Sequence, residues 1–209
     1  MSRMSRFHLH GLYAITNEAP DACELSDRVA RALRGGARAI QYRDKSGDAA
    51  RRLQEAEALR ALCRAYNVPL IVNDDVELAR AVGADGVHLG KDDASIAEAR
   101  TALGAGAIIG VSCYNSLERA LQADAAGADY VAFGSFFPSS TKPAAVRASL
   151  ELLGTARAQI RLPIVAIGGI TPENGAQLVA AGADMLAVIQ GVFGAPDPEA
   201  AARRYAALF

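Results

Sequence analysis

Tryptophan is absent from this 209-residue chain, and aromatic residues make up only 6% of it. That leaves too few rings for a stacking platform on single-stranded nucleic acid. Charge of one sign is also lacking: 22 Lys and Arg stand against 23 Asp and Glu, a formal net charge of −1. With no bulk positive field to recruit nucleic acid or anionic membrane, any bound anion must be held by a local cluster. Long apolar runs are missing too. None approaches the roughly 18 residues of a membrane span, and the opening MSRMSRFHLHG lacks the apolar block of a secretory signal. The three cysteines, Cys23, Cys63 and Cys113, are odd in number and have no zinc-type CxxC spacing. They point to a reducing cytoplasm, with neither a disulfide framework nor a structural metal. What is plentiful is apolar surface: hydrophobic residues reach 51% against 22% charged, enough for a sizeable core. The length fits one domain, 1–209, with 1–8 as a short lead.

The main pattern is alternation. Short, β-branched apolar runs predict strands over 9–16, 37–43, 69–74, 85–90, 107–112, 129–135, 163–169 and 184–190. Between them, Ala/Leu/Arg/Glu segments predict helices near 24–34, 48–66, 75–82, 94–103, 116–126, 146–160, 172–181 and 197–208. The strands are apolar on both sides of the alternation, as parallel strands buried on both faces are.

A weak internal repeat sharpens the reading. GGARAIQ (35–41), GADGVHL (83–89), GADYVAF (127–133) and GADMLAV (182–188) each set Gly-Ala just before an even-numbered strand. The glycine there serves as a left-handed helix end. VPL and LPI introduce the third and seventh strands, where proline bars helix continuation. A period of two over eight βα units fits a closed (β/α)₈ TIM barrel, whose interior layers come from alternate strands. An open Rossmann-like sheet fits less well, since no GxGxxG follows the first strand.

In such a barrel, function gathers at the carboxyl ends of the strands. The first strand ends in Thr16-Asn17, which carries no signal. After the second, period-2 alternation sends Gln41, Arg43 and Lys45 the same way, two cations and an amide at the rim, unless this is only a solvated strand end. The third strand ends Asn73-Asp74-Asp75 and the fourth leads into Lys91-Asp92-Asp93, more acid than helix capping requires. Two carboxylates on adjacent strands suit Mg²⁺ completed by substrate phosphates; the competing reading makes both of them caps. His88 reads as a satisfied interior residue, and Cys113, with no cationic neighbour, as inert. Ser112 either donates to an anion or turns the chain. The sixth strand leads into Phe137–Pro143, where Ser139, Ser140, Thr141 and Lys142 offer anion donors, or else form an ordinary polar turn; it is also the best lid candidate. Gly168-Gly169 after the seventh strand and Val188-Ile189-Gln190 at the end of the eighth fall where such barrels cradle a phosphate. No nucleophile–base pair stands out. The chemistry suggested is stabilisation of a departing diphosphate, with transfer of the activated group to a phosphorylated acceptor.

In this order, QYRDK, IVND, GADGVHLGKDD, GVS, FPSSTK, VAIGGI and AVIQ resemble the motifs of the thiamine phosphate synthase family, from Leu9 to about Phe193. That family joins hydroxymethylpyrimidine diphosphate to thiazole phosphate, releasing diphosphate. The resemblance implies that Gln41, Arg43, Lys45, Asn73, Ser112 and Lys142 contact the pyrimidine diphosphate and that Asp74 and Asp93 hold Mg²⁺. It assigns Ser139, Ser140, Thr141, Gly169, Val188, Ile189 and Gln190 to the thiazole phosphate. It also implies a dissociative reaction, in which diphosphate leaves before the thiazole nitrogen captures the methylene cation. Family members often have Thr at positions 139 and 140 and Ser at 190; the hydroxyl swap preserves the donors, and at Gln190 the backbone amide can serve. Two rivals are a thiazole tautomerase of the same barrel, expected to carry a histidine where Tyr114 stands, and a non-catalytic phosphate-ligand sensor, which would need no acid pair.

Overall fold

The computed structural model describes residues 7–17, 21–138 and 146–209. Eight parallel strands close into a barrel in sequence order: β1 (Gly11–Ile15), β2 (Ala37–Tyr42), β3 (Leu70–Asn73), β4 (Gly86–Leu89), β5 (Ile108–Tyr114), β6 (Tyr130–Gly134), β7 (Ile164–Ile167) and β8 (Met185–Val188). Strand β8 pairs back onto β1 with Tyr13 opposite Ala187, which completes the ring. The helices of the outer layer are α1 (Ala22–Arg34), α2 (Ala49–Ala65), α3 (Val76–Val82), α4 (Ile96–Leu103), α5 (Leu117–Ala125), α6 (Leu150–Gln159) and α7 (Pro172–Ala180), followed by α8 (Gln190–Phe193) and α9 (Pro198–Ala206). The fold is the expected (β/α)₈ barrel.

Alternate strand residues divide between two apolar layers. Leu12, Ile40, Val72, Val87, Ile109, Val131 and Leu186 pack outward under the helices. Tyr13, Ile15, Ala39, Ile71, Ile108, Tyr130, Val165, Met185 and Ala187 fill the barrel interior.

The period-two repeat has a physical basis beyond its glycines. Gly36, Gly83, Gly127 and Gly182 all have positive φ (100°, 61°, 84° and 111°), which ends each helix at low steric cost. In three of the four repeats, the aspartate two residues later clasps the preceding odd strand. Asp85 accepts from Leu70 N at 2.9 Å, Asp129 from Ile109 N at 2.8 Å, and Asp184 from Ile164 N at 2.7 Å. An arginine from the helix before the clasped odd strand pairs with each carboxylate: Arg60 of α2 at 3.3 Å, Arg100 of α4 at 2.6 Å and Arg157 of α6 at 2.7 Å. In the first repeat Arg38 stands in the aspartate's place. There α9 braces the chain instead, with Glu199 accepting from Arg34 Nε at 2.8 Å and its backbone oxygen only 2.5 Å from where a Cβ on Gly35 would lie. Asp129→Asn keeps an acceptor for Ile109 N but discards the charge partner of a mostly buried arginine. It should cost about 2 kcal/mol and lower the melting temperature by roughly 4–8 °C. An unchanged thermal melt would show the clasp to be inert.

Two of the boundaries that differ from expectation bear on the site. The helix predicted over 146–160 begins only at Leu150, because the Ser149 side chain caps it by accepting from Leu152 N. The strand predicted over 184–190 stops at Val188, so Gln190 is not a strand-end residue but the first residue of α8. At Ile189 the backbone leaves the β region (φ −104°, ψ −85°). Its apolar side chain had continued the run by composition alone.

Candidate active site

Period-2 alternation places Gln41 in the barrel interior, with Arg43 and Lys45 just beyond the end of β2 at the carboxyl rim. Two buried residues, Thr16 and Asp44, anchor this segment. Thr16 Oγ1 accepts from Arg43 N at 2.9 Å, and the Asp44 carboxylate accepts from Ser46 N at 2.6 Å.

The acids divide as a metal site requires. Asp75 is the cap of α3, accepting from Leu78 N at 2.9 Å and from Arg52 at 2.9 Å. Helix α4 is capped by Ser95 in a capping box with Glu98. Asp74 and Asp93 are therefore not caps. The chain turns through a left-handed conformation at Asp74 (φ 64°), and its Oδ2 accepts from Lys45 Nζ at 2.5 Å and from Asn73 Nδ2 at 2.6 Å. Asp93 Oδ2 accepts from Gly90 N at 2.6 Å and stands within hydrogen-bond reach of Asp74. Burial works to raise the Asp74 carboxyl, but the Lys45 ammonium and the Asp93 side chain outweigh it and hold Asp74 below the usual carboxylate range. Burial pushes the Asp93 carboxyl up; the Gly90 amide opposes this and the facing Asp74 charge adds to it. Two acids that face each other in this way call for a cation. Among the described residues no three His, Cys, Asp or Glu side chains gather into a metal set. A pair of hard oxygen donors beside an open cleft of about 450 Å³, lined by Lys45, Asn73 and Asp74, nevertheless fits Mg²⁺ that shares its shell with substrate phosphate.

Ser112 lies further round the rim on β5, with its Oγ 2.9 Å from His88 Nε2. His88 is buried and bonded at both ring nitrogens, as a satisfied interior histidine should be. Burial pushes the Cys113 thiol up to about 12, which leaves it an inert thiol.

Across the mouth, Gly168 and Gly169 both have positive φ (105° and 62°). A Cβ on Gly169 would lie 2.2 Å from Pro138 O, so only glycine lets this turn approach the loop after β6. Val188 ends β8, Ile189 caps the short α8 and Gln190 opens it, so its leading amides lack intrahelical acceptors. Ser139, Ser140, Thr141 and Lys142 lie outside the described residues, as does most of the proposed lid. Three residues of the interior beneath the rim, Tyr13, Tyr130 and His88, were not expected to act together. Only the inward parity of the two tyrosines and the glycine at position 110 could have signalled it.

Comparison with known proteins agrees with this geometry. A family profile described as Thiamine monophosphate synthase matches residues 12–192. The chain is 58% identical over 202 residues to a Thiamine-phosphate synthase of Thioalkalivibrio sulfidiphilus, covering 96% of each chain. It is 59% identical over 199 residues to one of Thiobacillus denitrificans, covering 95% of this chain and 94% of the relative. A solved Thiamine phosphate pyrophosphorylase from Pyrococcus furiosus superposes with a TM-score of 0.84 at 38% identity, covering 95% of this chain and 94% of that one. Neither the tautomerase nor the sensor reading finds support among these relatives. The chain belongs to the thiamine monophosphate synthase family and is, with it, an enzyme of the transferase class.

Proposed function

We propose that the rim residues described above carry the family's reaction in this chain: union of a pyrimidine methyl diphosphate with a thiazole phosphate. The observation that carries this reading is the apposition of Asp74, Asp93 and Lys45. Asp74 and Asp93 would hold Mg²⁺, which supplies charge neutralisation to the diphosphate. Arg43, Lys45, Asn73 and Lys142 donate to the diphosphate oxygens, while Gln41 and Ser112 hold the pyrimidine end. The methylene C–O bond breaks with its electron pair leaving on diphosphate, and the thiazole nitrogen then forms the new C–N bond. No side chain has to remove a proton for this step, which suits a rim rich in donors. Gly169, the amides near Val188, Ile189 and Gln190, and the hydroxyls of Ser139, Ser140 and Thr141 bind the thiazole phosphate.

Incubation with both substrates and Mg²⁺, following diphosphate release, tests the reading. Release that depends on the thiazole phosphate supports it; release without that partner means a hydrolase and overturns it. Gly169→Ala, which puts a methyl into the space held by Pro138 O, should raise KM for the thiazole phosphate roughly tenfold and leave the pyrimidine KM unchanged. Equal effects on both would misplace the phosphate cradle.

A further inference from the structure

Five polar side chains form an unbroken line across the barrel interior. Gln41 Nε2 donates to Tyr13 Oη at 2.8 Å, and Tyr13 Oη lies 2.8 Å from Tyr130 Oη. Tyr130 Oη is 2.9 Å from His88 Nδ1, and His88 Nε2 is 2.9 Å from Ser112 Oγ. The line begins and ends on residues placed in the substrate site, and the three between them are buried. We propose that His88 is a positioning residue, locked by Tyr13 and Tyr130 as the Nε2–H tautomer so that the Ser112 hydroxyl proton is committed to the substrate.

Counting hydrogens gives the line its direction. A carboxamide nitrogen can only donate, so Tyr13 Oη receives from Gln41 and must place its own single proton elsewhere. Both tyrosines are fully buried, and Tyr130 Oη is the one acceptor that Tyr13 has among the described residues. Tyr130, having accepted, donates onward to Nδ1 of His88. That nitrogen is then bare, so a neutral ring carries its proton on Nε2 and gives it to Ser112 Oγ. Ser112 accepts from the protein and keeps its O–H free to point at an acceptor atom of the pyrimidine diphosphate. Run the other way, the Ser112 proton would be consumed by His88, and the buried Tyr13 hydroxyl would have no acceptor.

The packing is built for this line. Gly110 pairs with Tyr130 in the β5–β6 register, and a Cβ there would fall 1.9 Å from Tyr130 Cζ. A bare glycine on β5 is what lets the Tyr130 ring lie across the barrel. His88 stacks on that ring at 5.6 Å between centroids, 18° from parallel, and Tyr13 meets it edge-on at 5.9 Å.

The proposal rests on Ser112 facing substrate, so its test has two arms. In the first, protein labelled with ¹⁵N-histidine is examined by NMR, where the nitrogen shifts tell a protonated ring nitrogen from a bare one. A proton on Nε2 and none on Nδ1 is expected; the Nδ1–H tautomer or an imidazolium overturns the relay. Tyr13→Phe, which removes the source of direction but keeps the ring, should give a mixture of the two neutral forms. In the second arm, Tyr130→Phe should lower kcat/KM for the pyrimidine substrate roughly fivefold to tenfold. Adding it to Ser112→Ala should cost nothing further, since the relay acts through that hydroxyl. Effects that multiply would reduce Tyr130 to a structural role and overturn the proposal. A silent Ser112→Ala would remove Ser112 from the substrate site, while the tautomer readout would still judge the relay itself.

Discussion

Asp74→Asn is expected to lower kcat by about 10³-fold at saturating Mg²⁺, roughly 4 kcal/mol of transition-state stabilisation. Asparagine is the informative replacement. Asp74 sits at φ 64°, a conformation that asparagine tolerates and alanine does not. The substitution therefore removes one charge, leaves the chain's path intact, and keeps an oxygen that can accept from Lys45 and Asn73. Because Asp74 caps no helix, the melting temperature should stay near that of the parent. Steady-state kinetics with Mg²⁺ varied, beside a thermal melt, check both halves. Activity within a few fold of the parent would remove the acid pair from the reaction. A large fall in stability would mean that Asp74 has a structural task its surroundings do not suggest.

Gly110→Ala should be strongly destabilising. The added carbon would overlap Tyr130 at 1.9 Å from Cζ and 2.3 Å from Oη, inside a ring of strands that cannot move apart. Overpacking of this severity should cost about 3 kcal/mol, a fall of some 6–12 °C in melting temperature. The mechanism has its own signature. In a Tyr130→Ala background the ring is gone and the same methyl should be nearly neutral, so the two changes must be strongly non-additive. Simple addition of the two effects would show that the clash is relieved elsewhere.

The strands were legible because both of their faces are buried, which makes short β-branched runs hard to mistake. The rim was legible through parity: once β2 is a strand, Gln41 and Arg43 must share a face. Asp75 could be assigned to its helix by position, which left Asp74 over, and the structure agrees. What escaped notice depends on contacts across the ring. Tyr13 and Tyr130 are 117 residues apart and His88 is 42 from Tyr130, so no local pattern links them; only strand register does. Thr16 carries no chemistry until Arg43 N is seen to bond to it. The GAD repeat was read for its glycine and alanine, while the aspartate, whose partner lies on the neighbouring strand, went unread. Gln190 was misplaced because an apolar Val-Ile pair looks the same whether the strand continues or a helix turn begins. The phosphate-side hydroxyls at 139–141 and Lys142 lie outside the described residues.

The aspartate clasps have a consequence for how the chain assembles. Each one ties the start of an even strand to the odd strand immediately before it, and its arginine reaches in from the last helix of the βαβα quarter before. These aspartate bonds span only 15, 20 and 20 residues, short loops with a small closure cost. The first quarter, with Arg38 where the aspartate would be, has no such clasp. Its brace is α9, 165 residues further along the chain, through Glu199 on Arg34 and the close seat against Gly35. The first quarter is therefore held by a contact spanning 165 residues where the others use 15 to 20, and removing α9 should loosen it before the rest.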